Sequence, residues 1–326
     1  MTAADEDARP HAIGVSIHAD QLTGVIIDLD GEPVRLGGGA AEPDAMIRAL
    51  RETTPEAVVH DLAALWDELL RMAAANLGGP VVGLGVAVGG HVVAGTGLVL
   101  FSPNLGWKGV PLGPMLMQAT KIEAVDVEND TKILAVAEQL FGHGVGRPSF
   151  AVVKVRTGIS CGLVLDHELY RGVTGLAGEL GHLVFEPGGN PCRCGRRGCL
   201  EAIASRDAML GAVRAAGQPN LTTIDELADL ADQRDHVAMA AIERAGEALG
   251  RGLAMLLNLL NLDLVVLYAE EPLVETPAYL EAVRASLAAH AFSSAASDCR
   301  IIPKVLTEVL EARAAASMAF SRFYPT

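Results

Sequence analysis

Three thiols crowd one short stretch, Cys192-Arg193-Cys194-Gly195-Arg196-Arg197-Gly198-Cys199, and His182 lies ten residues before the first of them. Gly195 and Gly198 permit the turns that let three sulfurs converge on one centre. His182 is the natural fourth ligand, and thiolate with imidazole suits tetrahedral zinc. Four protein ligands leave no open position for an activated water, so the zinc expected here is structural. The spacing fits a metal better than a disulfide framework in a reducing compartment. The alternative is a group of buried, reduced cysteines. Cys161 and Cys299 stand alone and read as core residues, not reactive thiols.

Glu179 precedes His182 by three residues, and Glu201 follows Cys199 by two. A metal that fixes His182 and the 192–199 loop therefore fixes two carboxylates near each other. Asn129-Asp130 ends an expected strand just before a helix, where open α/β sheets bind ligands beyond their carboxyl strand ends. Carboxylates and amides in such a crevice match several sugar hydroxyls, each able to donate and accept. An Asn-Asp pair in that position is by itself a common helix cap, and the conjunction with the other carboxylates is what favours a sugar.

The elements that must hold these groups follow from pattern. Strands over 13–17 and 23–29 and a further one from about Pro33 form an antiparallel meander, with Asp30-Gly31 as a hairpin turn. Thr54 and Pro55 read as N-cap and first helical residue. Leu62, Leu65, Trp66, Leu69, Leu70 and Ala73 then form the apolar face of a helix over roughly 55–77. Buried strands over 81–88 and 99–102 lead into the polar loop Pro103-Asn104-Leu105-Gly106-Trp107. A strand near 124–127, a helix over 131–140 and strands over 150–155 and 159–165 repeat the plan, which implies a duplicated domain. After a loop-rich middle come a helix from about 238 to 260, a strand over 264–268 and a helix from about 306 to 320.

At 326 residues the chain has room for two domains of roughly 100–200 residues, or one large one. Lys+Arg 25 against Asp+Glu 40 gives a net charge of −15, which repels phosphate backbones and disfavours nucleic-acid binding by this chain alone. Apolar residues are 50%, which excludes disorder. The most apolar stretch, 253–268, is broken by Asn258, Asn261 and Asp263, so no segment offers the ~18 uninterrupted apolar residues of a membrane span. Residues 1–10 carry Asp5, Glu6 and Asp7 and no apolar run, unlike a secretory signal, so a cytoplasmic location is expected.

From Ile13 onward the chain resembles the repressor/open-reading-frame/kinase (ROK) family of the sugar-kinase and actin-like ATPase superfamily. The resemblance rests on Ser102-Pro103-Asn104-Leu105-Gly106-Trp107, Glu128-Asn129-Asp130, Thr157-Gly158-Ile159, Glu179-Leu180-Gly181-His182, and the 192–199 loop with Glu201. The Glu-x-Gly-His element joined to the cysteine loop is its most specific part. It implies a two-domain actin-like (ribonuclease-H-like) α/β fold with a ligand cleft between domains. The first domain is expected over 12–124 plus about 306–326, and the second, with the zinc loop, over 125–305. By this resemblance Asn104, Asn129, Asp130, Glu179, His182 and Glu201 contact a hexose. Asp130 is then the general base that takes the proton of its 6-hydroxyl, a role that suits phosphoryl transfer. A homodimer is implied by the family alone.

The sequence departs from the family's kinases in all three nucleotide elements. Their first hairpin carries an Asp, two glycines and a Thr for Mg²⁺ and phosphate, whereas this chain has Ser16, His18, Ala19 and Asp20. A carboxylate set against phosphate oxygens costs about 1 kcal/mol in water and several-fold more in a cleft. The second element, usually Gly-Thr-Gly, is Arg156-Thr157-Gly158, and the third, a glycine-rich turn that accepts adenosine, is Tyr268-Ala269-Glu270-Glu271-Pro272. An intact sugar and zinc set beside three nucleotide losses reads as a pseudokinase, a sugar sensor of the family's transcriptional-regulator type. The alternatives are a glucokinase-like hexose or N-acetylhexosamine kinase using Mg-ATP, and a scaffold with a vestigial site. The family's regulators carry a helix-turn-helix domain of roughly 70–80 residues ahead of the first hairpin, so DNA binding is not expected of this chain, with twelve residues before Ile13. Lys132, near an expected helix start, is expected to keep its ammonium in solvent.

Overall fold

The computed structural model describes residues 9–35, 45–123 and 125–321. Asp5, Glu6, Asp7, the strand start expected at Ala124 and the last five residues of the chain lie outside them. The chain divides into two units, one of Met1–Pro148, Asp166–Ala177 and Thr307–Thr326, the other of Ser149–Leu165 and Gly178–Leu306. Among the described residues no helix is long and apolar enough to cross a membrane.

In the first unit, β1 (His11–Ile17), β2 (Gln21–Ile27), β3 (Met46–Ala49), β4 (Val81–Val88) and β8 (Val125–Asn129) form a sheet ordered β3-β2-β1-β4-β8. The short strands β5 (His91–Val93), β6 (Leu98–Ser102) and β7 (Trp107–Val110) form a second, small sheet. The β1–β2 and β2–β3 pairs are antiparallel, while β1–β4 and β4–β8 are parallel. The Asp30-Gly31 turn forms as the sequence indicates. Asp28 Oδ1 accepts the amides of Asp30 and Glu32 at 3.0 and 2.9 Å, and Gly31 takes φ +77°. Of the strand expected from Pro33, the described residues 33–35 show one bridge, between Pro33 and Ile27, its continuation lies outside the described residues, and the next strand described is Met46–Ala49.

The expected long helix is Pro55–Asn76, burying Leu62, Leu65, Trp66, Leu69 and Ala73. Two details differ from the sequence reading. Thr54 makes no side-chain cap bond, and Leu70, at the edge of the buried stripe, is 37% exposed. The chain returns to this unit in the helix Glu308–Phe320, whose Ala312, Ala315 and Ala316 are fully buried. It lies so close to the sheet that a Cβ on Gly14 would stand 2.0 Å from the Ala312 carbonyl oxygen, and one on Gly85 1.7 Å from that of Ala315. Small residues on both faces let two backbones meet.

The second unit repeats the plan. β9 (Phe150–Val155), β10 (Ile159–Leu165), β12 (Leu264–Ala269) and β13 (Arg300–Val305) follow the order β10-β9-β12-β13, again a hairpin followed by parallel strands. β11 (Glu168–Leu169) belongs to the first unit's 166–177 segment. The core gathers on the helix His236–Leu260, against which Pro277–His290 packs. The middle expected to be loop-rich holds two further helices, Arg206–Ala215 and Ile224–Asp232, the latter opened by a capping box between Thr223 and Glu226. β13 carries Pro303 opposite Leu267, which an edge strand tolerates and which hides the strand from pattern reading.

Candidate functional site

The 3-10 turn Leu180–His182 and the loop that follows it build the metal group. Gly195 and Gly198 adopt φ +87° and +75°, the left-handed turns the sequence requires of them. The ligand atoms of His182, Cys192, Cys194 and Cys199 all lie within 4.8 Å of one another. Cys192 Sγ is 3.6 Å from His182 Nδ1, and Cys194 Sγ is 3.7 Å from Cys199 Sγ. A tetrahedral centre with metal–sulfur bonds of about 2.3 Å and metal–nitrogen bonds of about 2.0–2.1 Å requires S···S of about 3.8 Å and S···N of about 3.6 Å. The chain thus presents a preformed Cys3His group that can hold a metal. Cys161, by contrast, is fully buried and burial pushes its thiol up to about 12, while burial and the Asp263 charge push Cys299 up to about 11. Neither is a ready nucleophile.

The two carboxylates flank this group as their spacing implies. His182 turns Nδ1 toward the sulfurs and Nε2 toward Glu179 Oε2 at 3.6 Å, so one ring serves the metal group and orients a carboxylate. Glu201 opens the short helix Glu201–Ala204; its Oε2 accepts the Ile159 amide at 3.1 Å and its Oε1 lies 3.7 Å from Cys192 Sγ. Gly158 makes this approach possible, since a Cβ there would stand 2.6 Å from Glu201 Oε2. Gly158→Ala should therefore fold with a melting temperature close to that of the parent, because a flexible carboxylate can move aside, yet displace the carboxylate itself. Losing one hydrogen bond to a charged group corresponds to about 10-fold weaker ligand binding or more, readable by calorimetry. A parent-like affinity would show that Glu201 does not act where it is drawn.

In the first unit, Asn129 is the N-cap of the helix Asp130–Phe141. Its Oδ1 accepts the amides of Thr131 and Lys132 at 3.0 and 3.2 Å, and its Nδ2 donates to the Gly90 carbonyl at 2.9 Å. The cap alternative thus describes what this side chain does, and its effect is to aim Asp130. A Cβ on Gly89 would stand 3.2 Å from Asp130 Oδ2 and 3.6 Å from Asn104 Nδ2, so the strand end brings these two groups to one bare backbone position. Glu128, 3% exposed, supports the turn by accepting its neighbour's amide at 2.9 Å and Arg171 Nε at 2.8 Å. Lys132 departs from the expectation. Its side chain runs inward, is 4% exposed, and donates to the Gly175 carbonyl, because its place in the first turn faces the 166–177 segment and not solvent.

A ROK family profile matches residues 13–321. The chain belongs to the ROK family. This ROK protein is 26% identical over 314 residues to the xylose repressor of Bacillus subtilis (strain 168), covering 96% of this chain and 78% of the repressor. It is 31% identical over 255 residues to the glucokinase of Thermotoga maritima, covering 74% of this chain and 80% of the kinase. Among solved structures it is similar to a ROK family transcriptional regulator, a homolog of the E. coli MLC protein, with a TM-score of 0.82 and 25% identity over 96% of this chain and 79% of the regulator. Its fold is the actin-like ATPase fold of the ROK sugar kinases.

Of the three elements read from the sequence as departing from the family's kinases, the first and third make side-chain contacts of their own and the second makes backbone ones. Ser16, 1% exposed, donates to the Glu308 carbonyl at 3.2 Å, and His18 Nε2 lies 2.9 Å from Oε2 of the fully buried Glu311. Asp20 is exposed at the hairpin tip. In the second unit the Arg156 amide donates to Gly158 O at 2.9 Å, and the Arg206 amide to Arg156 O at 2.8 Å. Glu270, directly after β12, accepts Arg206 Nη1 at 3.0 Å. Arg206 and Glu311 escape sequence reading altogether, because an arginine at a helix start and a glutamate in an alanine-rich helix carry no motif.

Proposed function

We propose that this chain is a zinc-containing, sugar-binding sensor of the ROK regulator type that does not transfer phosphoryl groups. The observation that carries the reading is a pair of side-chain contacts, the 2.9 Å approach of His18 to the buried Glu311 and the Arg206–Glu270 ion pair, at the positions where the family's kinases need bare backbone for a Mg-nucleotide. Each places an uncompensated desolvation cost on a ligand that would separate it. The residues we assign to the sugar are Asn104 and Asp130, the latter following the Asn129 cap, in one unit, and Glu179, His182 and Glu201 in the other. Zinc is the metal that suits three thiolates and an imidazole at these spacings, and with four protein ligands it holds the loop without supplying a reactive position. The xylose repressor among the relatives favours a pentose as the ligand, and the Thermotoga glucokinase a hexose.

The second reading is a sugar kinase with Asp130 as base, favoured by the likeness to the Thermotoga glucokinase and by the placement of Asp130 beside Asn104 at Gly89. Calorimetric titration of the zinc-loaded protein separates the two. A pentose or hexose is expected to bind, and MgATP to give no heat with or without that sugar. Nucleotide binding in the ordinary substrate range of about 1 μM to 1 mM, with turnover lost in Asp130→Asn, would instead establish the kinase.

A further inference from the structure

Beside Glu201 the second unit opens into a cleft of about 390 Å³. One wall is the zinc loop, with Asn190, Cys192 and Arg193, and the other is the helix Arg206–Ala215. The floor consists of small apolar residues on one face of that helix, Ala208, Gly211, Ala212 and Ala215. The rim is polar and neutral in sort. Ser205 Oγ accepts the Ala208 amide at 3.2 Å and keeps its own O–H as a donor. Asn190 Nδ2 donates to Ala202 O at 3.3 Å, which leaves its carbonyl as an acceptor, and Thr157 adds a second hydroxyl. Arg193 is already paired with Asp207, which also accepts from Arg206. In the cleft's lining one cation, Arg193, thus stands against two carboxylates, Glu201 and Asp207.

A polyphosphate gains nothing from such a balance, whereas alternating donors and acceptors over an apolar floor fit a neutral polyhydroxy ring. The volume lies within the usual range of about 300–1,000 Å³ for ligand sites and is not filled by the carboxylate it shares with the sugar groups. We infer that the ligand is longer than a monosaccharide: one ring engages Glu201, and a second, neutral sugar ring of a disaccharide or glycoside lies in this cleft. The inference rests on the sugar-binding reading and names its ligand class.

The test compares matched pairs, xylose with xylobiose and glucose with cellobiose and maltose, by calorimetry on the zinc-loaded protein. A Cβ on Gly211 meets nothing within 4 Å and the residue has no left-handed φ, so Gly211→Phe fills the cleft without straining the helix. Ala212→Phe, on the same exposed face, is the second variant should the first fail to fold. At least one disaccharide is expected to bind 10-fold or more tightly than its monomer, and the substituted protein to lose that advantage while holding the monomer within about twofold. Equal affinity for both lengths, unmoved by either substitution, overturns the inference and leaves the sugar reading standing. A MgAMP-PNP signal that disappears in Gly211→Phe assigns the cleft to a nucleotide and overturns it too. No binding of any saccharide overturns the sugar reading, and this inference with it.

Discussion

Chelating the zinc we assign to His182, Cys192, Cys194 and Cys199 is expected to lower the melting temperature by about 8–16 °C and to remove sugar binding with it. Metal at a thousandfold excess over its Kd contributes about 4 kcal/mol, and each kcal/mol moves the midpoint by about 2–4 °C in a chain of this order of size. Apart from the metal, the loop is held by the Cys192 amide on Arg196 O and the Gly198 amide on Asn190 O, both at 2.8 Å, and by the Arg193–Asp207 pair, while Cys194 is exposed and Gly195 stands in open space. The same centre orients Glu179 through the 3.6 Å approach of His182 Nε2 and fixes the loop that ends two residues before Glu201, whose own anchor is the Ile159 amide at 3.1 Å. Metal loss is therefore expected to displace both carboxylates that we assign to the sugar. Cys194→Ser should reproduce both effects in scanning fluorimetry and calorimetry. A metal-free Cys194→Ser protein with parent-like sugar affinity would refute the coupling.

The second large effect concerns the closure of the first unit. Gly85→Ala is expected to destabilise by about 3 kcal/mol or more, because its new methyl would stand 1.7 Å from the Ala315 carbonyl oxygen, and backbone cannot step aside as a side chain can. Relief requires lifting the helix Glu308–Phe320 from β4. That helix carries Glu311 to His18 and the Glu308 carbonyl to Ser16, so the hairpin loses its partners as the helix rises. A shift in urea midpoint with unchanged slope is the expected signature. A midpoint indistinguishable from the parent would mean that this helix does not rest on the sheet as described.

Much of the fold was legible in the residues. Strands over 81–88, 150–155 and 159–165 emerge with those bounds, because buried strands bounded by Gly and Pro carry an unambiguous pattern. The metal group was equally legible, since three thiols with two glycines within eight residues leave few other chemistries open. Less was visible between 200 and 306. The helix Arg206–Ala215 opens on charged residues and carries its buried side chains, Met209, Leu210 and Val213, in only ten residues, and β13 contains a proline, so neither declares itself in local pattern.

The sequence by itself determined which groups could do chemistry: the Cys3His set, the carboxylates two and three residues from it, and the Asn129-Asp130 step at a strand end. These are local, fixed by a few bonds and by turns that only particular residues adopt. Tertiary structure alone decided what the side chains do with one another. It made Asn129 a cap, turned Lys132 inward to Gly175, paired His18 with Glu311 and Arg206 with Glu270, and left a cleft over Ala208 and Gly211. The partners in these two contacts stand 293 and 64 residues apart in sequence, and nothing in the composition around either member marks the other. The meeting of His18 with Glu311 depends on loop closure and on backbone approach at Gly14 and Gly85, which are properties of the packed chain and not of any segment of it.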